Sequence, residues 1–313
     1  MKTPKYFICP MSKQIVDSVL ELQSDRFGLL PTRRQIDFDG GYVNGWDITT
    51  FYKYVRSKSN IVLERDHAGP SQGKIEDDGL LSYANDAKFF DIIHIDPWKI
   101  IGNDKSIGIT QTIDTMNYLY HINPNLKYEI LTEEAIIRIE DFDLDSILTF
   151  LNYNLKKEIF SNIEFVVIQS GVGLDLVNMK NTGHFNLEKL KKMVKLCRQF
   201  GKKTKEHNGD YLTNEELKIR FDNGVDSLNI GPEIAQIQTL TYLEHMNETQ
   251  IDEFYKICLD SKKWEKWVKS DFNINDKHKL IQVCGHYCYD SYKLPKMDSI
   301  IKEKIQNKLN SLP

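Results

Sequence analysis

The stretch Ile61–Pro70, IVLERDHAGP, opens like a buried strand and closes on an acid and an imidazole followed by a Gly-Pro break. Apolar steps that run into Glu64, Arg65, Asp66 and His67 describe a strand whose tip leaves the core for a polar loop. In an α/β enzyme such tips carry the chemistry. Whether this one matters depends on whether the chain makes others like it.

It does. Short apolar runs that stop at polar or glycine-rich segments recur as KYFICP (5–10), RQIDFDGGY (34–42), NIVLERDHAGP (60–70), FDIIHIDPWK (90–99), KYEILTEEA (127–135), IEFVVIQSGVG (163–173), GKKTKEHNGD (201–210) and DSLNIGPE (226–233). Each is read as a strand, and the spacing of roughly 25 to 40 residues is that of a βα unit. Helical patterns fill the gaps. Asn186–Phe200 carries Leu187, Leu190, Met193, Val194 and Cys197 on one stripe, with Gly201 at its C-terminal cap. Ser12 and Thr213 are N-cap candidates, and Gly224 closes the second of these helices. Eight alternating units predict a (β/α)8 TIM barrel rather than an open doubly wound sheet, and no G-x-G-x-x-G follows the first run. After about residue 240 the alternation stops, and segments 247–270 and 299–311 read as helices. The expected organisation is a barrel over 1–245 and a helical C-terminal extension over 246–313, packed on the barrel.

Composition narrows the function. Hydrophobic residues make up 41% and charged residues 27%, ordinary for a globular protein, and the net charge of -4 argues against a nucleic-acid partner. The local basic run LEKLKKMVKLCRQFGKK (187–203) interleaves its lysines with apolar residues at helical spacing, as a solvated helix face does. No apolar run reaches the roughly 18 residues that span a bilayer, and no signal-peptide pattern opens the chain. Five scattered cysteines fit a reducing compartment, so a cytoplasmic protein is expected.

A barrel gathers its strand tips at one mouth. The tips supply Arg34, Gln35 and Asp37; Asp66 and His67; His94 and Asp96; Glu133 and Glu134; Gln169 and Ser170; Glu206, His207 and Asp210; and Asn229 and Glu233. Converging imidazoles and carboxylates are the donors a divalent metal requires. Such an ion would polarise a substrate carbonyl while a nearby carboxylate moved a proton. By contrast, CGHYCYD (284–290) alternates Cys284, His286 and Cys288 too tightly for a closed zinc site, and packing is the better reading.

The order of seven short motifs is more specific than any one of them. GGY (40–42), DHAGP (66–70), HID (94–96), LTEE (131–134), QSGVGLD (169–175), KEHNGDYLT (205–213) and NIGPE (229–233) together resemble the non-catalytic (Z) subunit family of class II D-tagatose-1,6-bisphosphate aldolase, related to the class II aldolases and ketose-phosphate 4-epimerases. The resemblance runs from about residue 5 to about 240. It implies Asp66 as catalytic acid/base, His67 and His207 as metal ligands, Glu133 as a catalytic acid and Asn229 as a substrate contact. The chain departs from the aldolases after the sixth strand, where IQSGVG replaces a ligand histidine, so Gln169, or in its place Glu133, is the candidate third ligand. Gln35, Asp96, Ser170 and Asp210 complete the candidate substrate-binding set.

Two functions follow from the resemblance. One is aldol cleavage or C4 epimerisation of a ketose or ketose phosphate with a divalent metal, zinc first and manganese or another ion as substitutes. The other is a silent partner that stabilises a separate class II aldolase catalytic subunit. Self-association is also compatible, and no membrane partner is expected.

Overall fold

The computed structural model describes residues 2–101, 104–132 and 141–313. The strands are β1 (Tyr6–Ile8), β2 (Phe27–Leu29), β3 (Val62–Ala68), β4 (Ile92–Ile95), β5 (Lys127–Ile130), β6 (Ile163–Val167), β7 (Leu174–Asp175), β8 (Lys180–Asn181), β9 (Lys203–Glu206) and β10 (Ser227–Ile230). Eight of them pair in parallel around a closed barrel in the order β1-β10-β9-β6-β5-β4-β3-β2. The remaining two, β7 and β8, form a small antiparallel hairpin beyond β6. This is the (β/α)8 barrel that the alternation predicted.

The second strand lies elsewhere than expected. It is the three-residue Phe27–Leu29, not Arg34–Tyr42, which belongs to the loop leaving it. Three residues are too few to show a period. Gly28 also hides the strand's character, because its missing side chain makes room for a neighbour: a Cβ there would stand 2.6 Å from Phe7 Cε1. The loop meanwhile imitated a strand by alternating Ile36 and Phe38 with polar residues.

Capping follows the sequence closely. The Ser12 hydroxyl accepts from Ile15 N–H at the start of helix Lys13–Glu21, and Asn186 caps Leu187–Gln199 through Lys189 N–H. Leu190, Met193 and Cys197 of that helix are buried, with Leu187 and Val194 packed against the core. Gly201 closes it at φ +67°, a conformation that costs glycine little. Thr213 and Glu216 form a reciprocal capping box on helix Asn214–Asp222.

Strand residues two apart share a face. On β3, Arg65 points outward and pairs with Asp86 of helix Leu80–Phe89 at 2.8 Å, both fully buried. Glu64 points the other way, into the barrel, where Lys205 Nζ reaches its Oε2 at 2.6 Å and Glu129 Oε2 at 2.8 Å. Rings from β1 and β6 enclose this ionic trio, with Phe7 3.9 Å and Phe165 5.1 Å from the ammonium. The barrel is therefore filled partly by charge rather than by aliphatic layers alone.

Helix Glu248–Asp260, a short turn at Glu265–Trp267 and helices Lys277–Cys284 and Asp298–Ser311 make up the C-terminal part. The last helix buries Ile301, Ile305 and Leu309 and fastens to the first through Lys302–Glu21 at 2.7 Å. Cys284, His286 and Cys288 fall on a helix end and tight turns rather than along one strand, and all three are buried. No described helix is long and apolar enough to cross a membrane.

Candidate metal centre at the barrel mouth

Above the ionic trio, the same inward faces continue to the mouth. Glu64 is followed two residues later by Asp66, and Lys205 by His207. His94 stands directly beside Glu129 in the β4–β5 register. His67 should point away from Asp66, since it is the next residue. A register shift between Arg65 and Ala68, with His67 at φ +43°, breaks the alternation and lets both side chains approach the mouth.

Three imidazoles result, with ring centroids 5.0 Å (His67–His94), 5.1 Å (His94–His207) and 5.5 Å (His67–His207) apart. Asp66 joins them: its Oδ1 lies 3.6 Å from His94 Nδ1 and 3.8 Å from His67 Nε2. One donor atom from each of Asp66, His67, His94 and His207 falls within 4.8 Å of all the others, and among the described residues no other cluster of this kind occurs.

Each ring is held by an acceptor that fixes its orientation. His67 Nδ1 donates to Asp96 Oδ2 at 2.6 Å, His207 Nε2 to Glu129 Oε1 at 2.6 Å, and His94 Nε2 to the Leu131 carbonyl at 2.5 Å. Carboxylates and carbonyls behind imidazoles are the usual outer partners of metal-binding histidines. Asp66 Oδ1 is buried and has no hydrogen-bond partner among the described residues.

Electrostatics follow from these contacts. Burial works to raise the Asp66 carboxyl, but His67, His94 and His207 outweigh it and hold the group below its ordinary value. Burial likewise opposes ionisation of Glu129, yet Lys205 and the two imidazoles beside it keep its carboxyl well below the carboxylate range. Glu64 moves the other way, pushed well up by burial and by the neighbouring Glu129 charge.

The other expected site residues have different tasks. Gln169 is not in the cluster; its Oε1 accepts from Gly171 and Val172 N–H at 2.8 Å each and shapes the loop after β6. The third imidazole of the cluster is His94. Asp96 orients His67. Asp210 accepts from Gly231 and Glu233 N–H at the start of helix Pro232–Leu243, and burial beside Glu233 raises its carboxyl to about 7. Gln35 lines the mouth, but its Oε1 accepts from Thr32 N–H. Ser170 Oγ and Asn229 Oδ1 are buried without hydrogen-bond partners among the described residues. Glu133 and Glu134 lie outside the described residues.

Sequence reasoning left Glu129 unassigned, along with Glu64 and Lys205. The available signal was a charge inside an apolar run, in KYEIL, and the two-residue spacing of Glu64 to Asp66 and Lys205 to His207.

The cluster opens into a pocket of about 410 Å³ lined by Asp66, His67, Asp96, Arg34 and Lys266 among others. No known family profile matches the chain, and no curated protein sequence matches it. Solved structures do. A probable tagatose 6 phosphate kinase from Sinorhizobium meliloti 1021 is 15% identical with a TM-score of 0.74, covering 98% of this chain and 88% of its own. Fructuronate-tagaturonate epimerase UxaE from Cohnella laeviribosi is 10% identical with a TM-score of 0.62, covering 98% and 78%. The YdjI aldolase from Escherichia coli K12 is 9% identical with a TM-score of 0.55, covering 98% and 90%. At these identities the likeness is one of fold, and at that level it agrees with the aldolase-like resemblance of the motifs.

Proposed function

We propose that this protein is a metal-dependent enzyme of retro-aldol chemistry, acting on a ketose or ketose phosphate by aldol cleavage or C4 epimerisation. The observation that carries the reading is the convergence of Asp66, His67, His94 and His207 at the mouth of the barrel. The donor set fits a divalent ion: three imidazoles with a carboxylate beside them suit zinc with an open position, and manganese is a workable substitute. The buried Asp66 Oδ1, which has no hydrogen bond among the described residues, is a further sign of fit.

His67, His94 and His207 would hold the ion, which when bound supplies Lewis-acid polarisation of a substrate carbonyl. Asp66, ionised among the imidazoles, takes the C4 hydroxyl proton as the C3–C4 bond breaks. Asp96, Glu129 and the Leu131 carbonyl keep the three rings in place. Release of the aldehyde is cleavage; turning it over before the bond re-forms is epimerisation. An aldolase and a sugar-acid epimerase among the fold's neighbours support this choice by analogy of fold. We further read residues 1–245 as the catalytic barrel, 246–313 as its helical extension, and the five buried free cysteines as the mark of a reducing, cytoplasmic setting.

The test is metal content of freshly purified protein beside His67→Ala and His207→Ala, followed by a screen of ketoses and their phosphates. Near-stoichiometric metal in the wild type, lost in both variants, is expected. A wild type that takes up no divalent ion even when it is supplied overturns the reading in favour of a silent partner subunit.

A further inference from the structure

We propose that Arg34 and Lys266 form an anion-binding subsite on the outer wall of the mouth, which takes the phosphate or carboxylate of an acidic ketose. Arg34 comes from the loop after β2 and Lys266 from the turn Glu265–Trp267 in the C-terminal part. The inference rests on the reading of this pocket as a sugar site, and it assigns binding specificity to a segment far outside the strand tips.

Both side chains line the same pocket as Asp66 and His67. They also line a second groove of about 500 Å³ immediately outside it, so they stand on the ridge between the two. That outer groove carries Arg34, Lys74, Lys262, Lys263 and Lys266 against a single acid, Glu265. Some exposed lysines elsewhere on the surface pair with acids, as in Lys277–Asp252 and Lys304–Glu244. Arg34 and Lys266 have no side-chain ion pair among the described residues.

The wall behind Lys266 is built. Its ammonium lies 4.4 Å from the centre of the Trp267 ring and 5.3 Å from that of Tyr287. Trp267 Nε1 donates to Tyr287 Oη at 3.3 Å, and Tyr287 packs edge-on against Tyr42 at 5.1 Å. Rings that hold a cation in place reduce the ordering it must undergo when an anion arrives. Surrounding protein, together with Arg34 and Lys263, pushes the Lys266 ammonium down to about 8. A bound anion relieves that repulsion.

The inner wall has the opposite character. Asp66 and Asp96 lie there, each already facing imidazoles. A substrate with its carbonyl end at the histidines and its anionic end outward meets complementary charge at both ends.

The experiment is isothermal titration of the purified protein with inorganic phosphate and, separately, with glucuronate. Wild type, Arg34→Gln, Lys266→Gln, the double variant and Lys195→Gln, a control on an outer helix face, are compared. The single variants are expected to weaken binding of the preferred anion about tenfold, a loss typical of one charge-assisted contact. The double variant is expected to abolish saturable binding and the control to leave it unchanged. Phosphate preference assigns a ketose phosphate, and glucuronate preference a ketose acid. Equal affinity in wild type and double variant, or no saturable binding of either anion, overturns the proposal. Metal content measured on the same samples separates the two readings. Pair-dependent anion binding without metal leaves the subsite standing and the retro-aldol reading fallen, whereas metal without pair-dependent binding does the reverse.

Discussion

Glu129 Oε1 lies 2.6 Å from His207 Nε2, inside the barrel, reaching past β6 from β5 to the end of β9. Through this contact the buried ionic trio of Glu64, Lys205 and Glu129 reaches the mouth, and the orientation of a candidate ligand depends on charges below it.

Replacing Glu129 with Gln keeps an acceptor for His207 but removes the charge. Metal affinity is expected to fall about 10- to 100-fold, the usual cost of altering an outer partner. Competition with a chromophoric chelator measures it. Lys205→Met, which leaves Glu129 without its buried cation, is expected to destabilise the fold by about 3–5 kcal/mol in urea unfolding.

His94→Ala and Gln169→Ala separate two ligand sets. The geometry expects loss of bound metal on removing His94 and near-complete retention on removing the Gln169 carboxamide, because Gln169 is occupied by Gly171 and Val172 N–H. Elemental analysis of the two proteins decides between them. Retention in His94→Ala together with loss in Gln169→Ala would reverse the assignment.

Asp66→Asn is expected to lower turnover of a responsive ketose substrate by roughly 10²- to 10⁴-fold while metal content stays within a few-fold of wild type. If the ion departs together with the activity, Asp66 is a ligand and not the proton carrier.

Asp210 gives the fold a pH signature. Its carboxyl, raised from 3.8 to about 7 in the folded state, stays protonated where an unfolded Asp is ionised. The native state then binds more protons than the unfolded state between these values, so this contribution is full below about pH 4 and is lost as pH rises through about 7. Asp210→Asn keeps the acceptor for Gly231 and Glu233 N–H and is expected to flatten that slope. Thermal unfolding from pH 4.5 to 8 compares the two, and identical slopes would remove Asp210 as the cause.

The fold was legible because barrel strands buried on both faces leave apolar runs that end in polar tips, as Asn60–Pro70 and Phe90–Lys99 do. β2 was not, because three residues with a central glycine carry no period. The pair Asp66 and His67 was readable from the motif, but their joint approach to the mouth depends on a bulge at positive φ that no spacing reports. His94 was visible as a tip residue. Its place as third imidazole follows from register with β5, a relation between distant segments. Arg34 and Lys266 are 232 positions apart in the numbering (266 − 34), and nothing local links them.

Filling a barrel floor with Glu64, Lys205 and Glu129 also limits how the sequence can change. An aliphatic layer tolerates one substitution at a time when volume is kept. Here a neutral replacement of Lys205 leaves Glu129 facing Glu64 without their shared cation, so viable routes at that position pass through paired or triple exchanges. An all-apolar triple replacement would keep the barrel closed and leave His207 without its anchor, making the site's decay and the fold's survival separable only by several changes at once.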